Sequence, residues 1–317
     1  MTPPGPIGMG PLGPPARPTG PGIPVTTTPV FIPPRVGEFV HSPRGYRYRL
    51  TQTISSGGFS TVFDAVDIFE NHLAVKVFAP SAPYPEVRER WLAEAALLQQ
   101  LHHPNITYIF DAFEYLSGFY LVLERATGNL SRYITGAPQL HPNAVLYIAQ
   151  QLLWALHFVH ERQVIHEDLH PGNILEYPGG VVKISDFGIS RRLAVPHGTV
   201  APQTFHRKFV VPELASQGYT TQQSDLYHLG LILYALVRGQ HAVDPNLPDA
   251  EISRQVLQGV PRARAEALGT PLGKAIAKLL RRRHQYRYGS ALDAWNDLRL
   301  LLPARAFDGS PGGVIPP

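Results

Sequence analysis

The chain has 317 residues, 44% of them apolar and 16% charged, which is enough to bury a sizeable core in one large domain or two ordinary ones. The net charge is +4 and its basic residues are scattered, apart from Arg281, Arg282 and Arg283, which read as a solvated helix end; no tract for nucleic acid follows. Cysteine is absent, which excludes disulfides, thiolate-bound zinc and thiol nucleophiles. The start lacks the regions of a signal peptide, and the longest unbroken apolar run, LILYALV (231–237), is too short to span a bilayer. The expectation is a soluble cytoplasmic protein with no membrane or nucleic-acid partner.

Residues 1–44 are dominated by Pro and Gly, as in PPGPIGMGPLGPP, and cannot bury enough apolar surface to offset their ordering entropy. They read as a disordered tail, with Pro-binding domains as the partner class its composition fits. From Tyr46 the pattern changes. YRYRLTQTI and STVFDAVD alternate and are rich in β-branched and aromatic residues, and SSGGFS between them predicts a hairpin turn. HLAVKVF (72–78) predicts a third strand. PEVRERWLAEAALLQQL (85–101) carries Trp91, Ala95, Leu98 and Leu101 at helical spacing. YIFDAFEYLSGFYLVLE predicts two further strands around Ser117-Gly118, giving an antiparallel sheet with one helix.

After Glu124 the helical signal dominates. PNAVLYIAQQLLWALHFVHER (142–162) predicts a long buried helix, short strands flank PGG (178–180), and helices are expected over 222–238, 249–257, 271–283 and 290–302. The fold class is therefore α+β. A small β-rich lobe spans about 45–124, a larger, mainly helical lobe about 127–302, and a second disordered tail 303–317.

Phosphoryl transfer from ATP needs a loop over the phosphates, a Lys held by a Glu, oxygen ligands for magnesium, and a carboxylate that orients the attacking hydroxyl. AVKV (74–77) places one of only five Lys in mid-strand, and Glu94 follows 18 residues later on the helix. HEDLHPGN (166–173), SDFGIS (185–190), VPELA (211–215) and SDLYHLGLILYAL (224–236) come next in order, on elements of the right type. Together these stretches resemble the eukaryotic-type (Hanks-type) serine/threonine protein kinase family over roughly residues 46–302, with an atypical His-Glu-Asp catalytic loop.

The resemblance implies the bilobal kinase fold, ATP and Mg2+ as cofactors, and a protein substrate bearing Ser or Thr. ISSGGFSTV would be the phosphate loop, with Ile54, Ser55, Gly57 and Gly58 at the ATP site; of the three usual glycine positions, Ser55 and Ser60 fill two. Lys76 would contact the α/β-phosphates and pair with Glu94. Leu123 would be the gatekeeper, backbone groups of Glu124 and Ala126 would meet the adenine edge, and Val62, Ala74 and Leu175 would sandwich its faces. Asp168 would orient the substrate hydroxyl, while Asn173 and Asp186 would hold magnesium. His166 and Phe187 would stack behind them, Glu213 would pair with Arg287, and Asp225 would anchor the catalytic-loop backbone.

Three departures surround the transferred phosphate. Glu167 replaces the Arg that receives an activation-segment phosphate, and pairing with Arg191 is the expected substitute. His170 puts a titratable group where the family carries a permanent cation. His206 stands where serine/threonine kinases carry a Thr that contacts the catalytic Asp and that cationic Lys. Lys76, Glu94, Asp168, Asn173 and Asp186 are all retained, which favours an active enzyme. The alternatives are a pseudokinase that binds nucleotide or partners without turnover, and a small-molecule kinase, whose loop HEDLHPGN also resembles.

Overall fold

The computed structural model describes residues 31–58, 60–79, 82–134, 139–195, 198–201 and 207–303. Most of both expected tails, and His206, lie outside the described residues. The alternating N-terminal segments form one antiparallel sheet. Its strands are β1 (Phe39–His41), β2 (Arg47–Ser56), β3 (Ser60–Val66), β4 (His72–Phe78), β5 (Ile109–Tyr115) and β6 (Gly118–Glu124), in the order β1-β2-β3-β4-β6-β5. β1 corrects the expected tail boundary at residue 44: Phe39, Val40 and His41 pair with Arg49, Tyr48 and Arg47. A three-residue strand is too short to show a period, and its flanking Pro and Gly hid it.

α1 (Tyr84–Leu98) lies between β4 and β5 and packs Trp91, Ala95 and Leu98 into the core. It ends at Leu98, three residues short of the expected Leu101. The Trp91 indole N–H donates to the Tyr120 carbonyl at 3.0 Å, tying the helix to β6. The same inward face buries Glu94, a charge that needs a partner there.

In the larger lobe, β7 (Gly128–Asn129), β9 (Ile174–Tyr177) and β10 (Val181–Ile184) form a small sheet beneath the hinge, while β8 (Val164–Ile165) pairs with β11 (Arg191–Arg192). α2 (Pro142–Glu161) and α4 (Gln222–Arg238) are the central buried helices. α4 starts where the Ser224 hydroxyl accepts the Thr221 N–H at 2.9 Å and stops where Gly239 turns left-handed. α5 (Asp249–Gln258), α7 (Pro271–Leu279) and α8 (Ala291–Leu298) occupy the expected stretches, the last two ending early. α3 (Pro212–Gln217) and α6 (Val260–Glu266) are additional. Both are too short for a clear helical period. Among the described residues no helix is long and apolar enough to cross a membrane.

Candidate active site

β-sheet register builds one wall of the cleft. Ala74 and Lys76 point to the same face of β4, because side chains alternate along a strand. Ala74 pairs with Leu123 of β6, and Lys76 with Val62 of β3. Leu175 on β9 supplies an apolar side chain from the other lobe. Gly57 and Gly58 sit at the turn between β2 and β3, where an added Cβ would meet nothing closer than 3.8 Å among the described residues. The turn is open, and the Gly57 N–H closes it onto the Ser60 carbonyl. Ser55 pairs with Val62 at the end of β2, just beyond Ile54.

The hinge is clamped by two ion pairs that the sequence did not reveal. Arg125 pairs with Asp64 on β3 at 2.9 Å and also donates to the Ala126 carbonyl. Glu124 accepts from Lys183 of β10 at 2.7 Å and from the Tyr108 N–H at 2.7 Å. The Ala126 N–H has no partner among the described residues. It remains available to an incoming acceptor.

Lys76 Nζ donates to both carboxylate oxygens of Glu94, at 2.8 and 2.9 Å, and to Asp186 Oδ1 at 2.8 Å. Burial pulls the Lys76 pKa down, but Asp186 and Glu94 outweigh it and hold the ammonium above its ordinary value. Lys76 in turn holds the Asp186 carboxyl below the usual range. Asp186 adopts a left-handed backbone at φ +59, uncommon outside Gly, and its side chain stays 45% exposed. It is thus ionised and accessible while its neighbour is fixed.

Asp168 behaves differently. Burial and the nearby Asp186 charge push its carboxyl up to about 7. The Asn173 amide donates to its carbonyl at 3.0 Å and to Oδ2 at 3.3 Å, while Oδ1 is buried with no hydrogen-bond partner among the described residues. His166 fixes the loop from below. Its Nδ1 accepts the Asp168 N–H at 3.2 Å, and its Nε2 meets the Ser185 carbonyl at 3.0 Å. That pattern selects the neutral tautomer with the proton on Nε2. Burial lowers the His166 pKa in the same sense, and the ring meets Phe187 edge-on at 4.6 Å. Both ring nitrogens of His166 are thus engaged by the backbone of the loop and of Ser185.

Asp225 accepts the backbone N–H groups of His166 and Glu167, each at 3.0 Å, and meets His160 Nε2 at 2.8 Å. Glu213 and Arg287 form a fully buried bidentate pair at 2.6 and 2.8 Å. His160 is a site-supporting residue that sequence reasoning missed; its distance from Asp225 in the chain left no local signal.

Glu167 is buried, also at positive φ (+67). Its Oε2 lies 3.5 Å from Arg191 Nε, the expected partner, within ion-pair distance but without hydrogen-bond alignment. Its Oε1 takes the hydroxyl of Thr220, which was not foreseen. Burial drives the Glu167 pKa up to about 7. Thr220 is itself bridged to Val200 through paired backbone bonds of 2.8 and 3.1 Å. Glu167 therefore joins both ends of the intervening segment.

His170 caps the 3-10 turn Pro171–Asn173, its Nδ1 accepting the Gly172 N–H at 3.1 Å. The ring stacks on Phe209 at 5.1 Å, and Nε2 lies 4.0 Å from Asp168 Oδ1. A Cβ on Gly172 would fall 2.9 Å from the imidazole, so this histidine position requires the glycine.

The family model for the protein kinase domain matches residues 48–295. The chain belongs to the protein kinase family. Its relatives include the serine/threonine-protein kinase PrkC of Bacillus subtilis, 30% identical over 81% of this chain and 41% of the relative. The probable serine/threonine-protein kinase PknB of Lactococcus lactis is 31% identical over 75% of this chain and 40% of the relative. The serine/threonine-protein kinase PknA of Mycobacterium tuberculosis is 34% identical over 65% and 49%. The chain thus spans less than half the length of these relatives. The kinase-domain match encloses every residue of the constellation from Lys76 to Arg287.

The residues fit a magnesium–nucleotide pair. Among the described residues no group of three or more His, Cys, Asp or Glu is arranged to hold a metal. The donor set is one carboxylate, Asp186, and one amide, Asn173, whose Oδ1 accepts no hydrogen bond among the described residues. Hard oxygen donors in that small number suit an ion that keeps water and phosphate oxygens as its other ligands.

Proposed function

We propose that the chain is an ATP- and Mg2+-dependent protein kinase that transfers the γ-phosphate to Ser or Thr hydroxyls and needs no phosphate on the segment between Phe187 and Val211. The observation that carries this reading is the closed Lys76–Glu94–Asp186 set beside an Asp168 carboxylate with an unpaired buried oxygen. Lys76 neutralises and positions the α/β-phosphates, and Glu94 keeps it in place. Magnesium, held by Asp186 and Asn173, supplies charge neutralisation at the phosphates when bound. A substrate hydroxyl gives Asp168 Oδ1 the donor it lacks. As the new O–P bond forms and the β–γ bridging bond breaks, its proton passes to Asp168. His170 Nε2 stands beside that oxygen where a lysine ammonium is usual, and offers one N–H in its place.

The protonated form of Asp168 cannot accept that proton, so kcat/KM is expected to fall about tenfold per unit as pH drops below ~7, and to level off above it. Glu167 titrates in the same range. The acid limb should therefore persist in Glu167→Gln; a limb that vanishes there would transfer the titration to Glu167.

Glu167 stands in for the missing phosphate by tying Arg191 and Thr220 together with a carboxylate built into the loop. Glu167→Ala should lower kcat by ~10-fold or more through misplacement of the loop, with nucleotide affinity kept. An unchanged rate would remove the clasp from the mechanism.

The depleted glycine loop favours a second reading, nucleotide binding without turnover. Incubation with labelled ATP, magnesium and a generic protein substrate separates the two. Label on protein Ser or Thr supports the kinase, bound nucleotide with no label supports the pseudokinase, and label confined to small metabolites points to a small-molecule kinase.

A further inference from the structure

Two of the three Trp residues of the chain line one surface groove. The third, Trp91, lies in the core with its indole N–H bound to Tyr120. The groove runs between α2, which supplies Gln150, Trp154 and His157, and α8, which supplies Leu292 and Trp295, and it encloses about 410 Å3. Trp154 is 54% exposed and Leu292 47%. Among the described residues neither indole N–H of the pair has a hydrogen-bond partner. No Asp, Glu, Lys or Arg lines the groove, and none of its residues belongs to the phosphoryl-transfer set. An exposed indole, Trp154, beside an exposed Leu292 and a half-buried Trp295 that packs on the core makes an apolar patch of the kind recognition surfaces use.

The chain carries its own complement to such a surface. Residues 1–30 contain ten Pro, and Arg17 is their one charged side chain. Each Pro removes a backbone donor and keeps a carbonyl acceptor. Pro-rich backbone favours an extended helix with outward carbonyls, which docks on aromatic grooves and takes hydrogen bonds from indole N–H groups. A groove without Asp, Glu, Lys or Arg also strands no such charge beneath a segment whose one charged side chain is Arg17. The C-terminal run 304–317 is the poorer candidate, since it carries both Arg305 and Asp308 and fewer Pro.

Reach and affinity both permit the contact. Phe31 packs against the small-lobe cluster beside Gly118, which fixes where residues 1–30 begin. Thirty residues at ~3.1 Å each reach ~90 Å, beyond the ~50 Å diameter of a domain of this size. Tethering gives an effective concentration near ~1 mM, so an intrinsic dissociation constant of ~100 μM would leave the segment docked about nine-tenths of the time. We propose that the groove between α2 and α8 is the docking site of the chain's own Pro-rich segment, residues 1–30.

The absence of cysteine makes the test direct in the full chain. A single Met9→Cys or Thr19→Cys accepts one nitroxide label, and the three indole N–H signals of 15N-Trp protein are read with the label oxidised and reduced. The Trp154 and Trp295 signals should lose most of their intensity while Trp91 keeps its own. Leu292→Glu should abolish the loss, with an unmoved Trp91 signal showing an intact fold. Loss at neither label position overturns the proposal. So does a loss that Leu292→Glu leaves unchanged. Mixing 15N-labelled chains with spin-labelled unenriched chains should leave all three signals intact. Loss confined to that mixture would place a second copy's segment in the groove and also overturn it.

Discussion

Asp168→Asn is expected to lower kcat by ~10^2–10^4-fold while leaving nucleotide binding in place. Asn keeps the volume and can still accept the Asn173 amide bond now made to Oδ2 at 3.3 Å. It cannot take a proton at neutral pH, so the loss falls on the chemical step. Asp186→Ala should abolish turnover by a different route. It removes the accessible carboxylate that completes the Lys76 set and that is proposed above as the main oxygen donor for magnesium. Titration with Mg-ATP should therefore show near-normal affinity for Asp168→Asn and a large loss for Asp186→Ala. Matching losses of affinity in both would mean that Asp168 holds nucleotide and does not serve as the base.

Arg287→Ala should give the largest loss of stability, about 3–5 kcal/mol. The guanidinium is fully buried, lies 4.7 Å over the Tyr227 ring, and donates to the Gln223 and Arg281 carbonyls as well as to both Glu213 oxygens. Its removal leaves Glu213 buried, with Ser224 as a remaining donor at 2.5 Å. For a domain of this size the midpoint of thermal unfolding should fall by ~10 °C. The sign of the pH dependence follows from Glu213. Burial opposes its charge, but Arg287 outweighs burial and holds its carboxyl below the usual range. The wild-type pair thus stabilises the fold above the ordinary Glu pKa, and that contribution disappears as pH falls through the depressed folded value. In Arg287→Ala the uncompensated carboxylate is costliest at neutral pH, so the deficit should shrink on acidification. The double variant with Glu213→Gln should recover part of the loss, since it removes the stranded charge. A thermal midpoint that stays within a degree or two of wild type would show that the pair does not carry this load.

The parts of the site legible in the sequence were those with short, ordered motifs. Lys76 and Glu94 announced themselves through a rare Lys in an apolar strand and a carboxylate at fixed spacing, and the structure brings them within 2.8 Å. The Asn173–Asp168 bond, the Lys76–Asp186 pair and the His166–Phe187 contact likewise join residues of those short motifs. Partners joined only by tertiary packing were not. Thr220 reaches Glu167 across 53 residues, and Arg125 reaches Asp64 across 61. Neither separation leaves a period or motif. Nothing local tied Lys183 to Glu124 either. Phe209 under His170 was missed because stacking depends on where the segment returns, not on sequence spacing. The fold was legible down to the ends of β4 and α4, where alternation or capping is strong. It was not legible in β1, α3 and α6, which are too short to carry a period.

Phosphate transfer by this arrangement is proposed to need no phosphorylated segment. The direct measurement uses chain treated with phosphatase and shown by mass to carry no phosphate, given γ-labelled ATP, magnesium and a protein substrate in a single initial-rate assay. Label should pass to Ser or Thr at once and at full rate, with no lag. A lag that ends only when a hydroxyl between Phe187 and Val211 becomes phosphorylated, or bound nucleotide with no transfer at all, would contradict it.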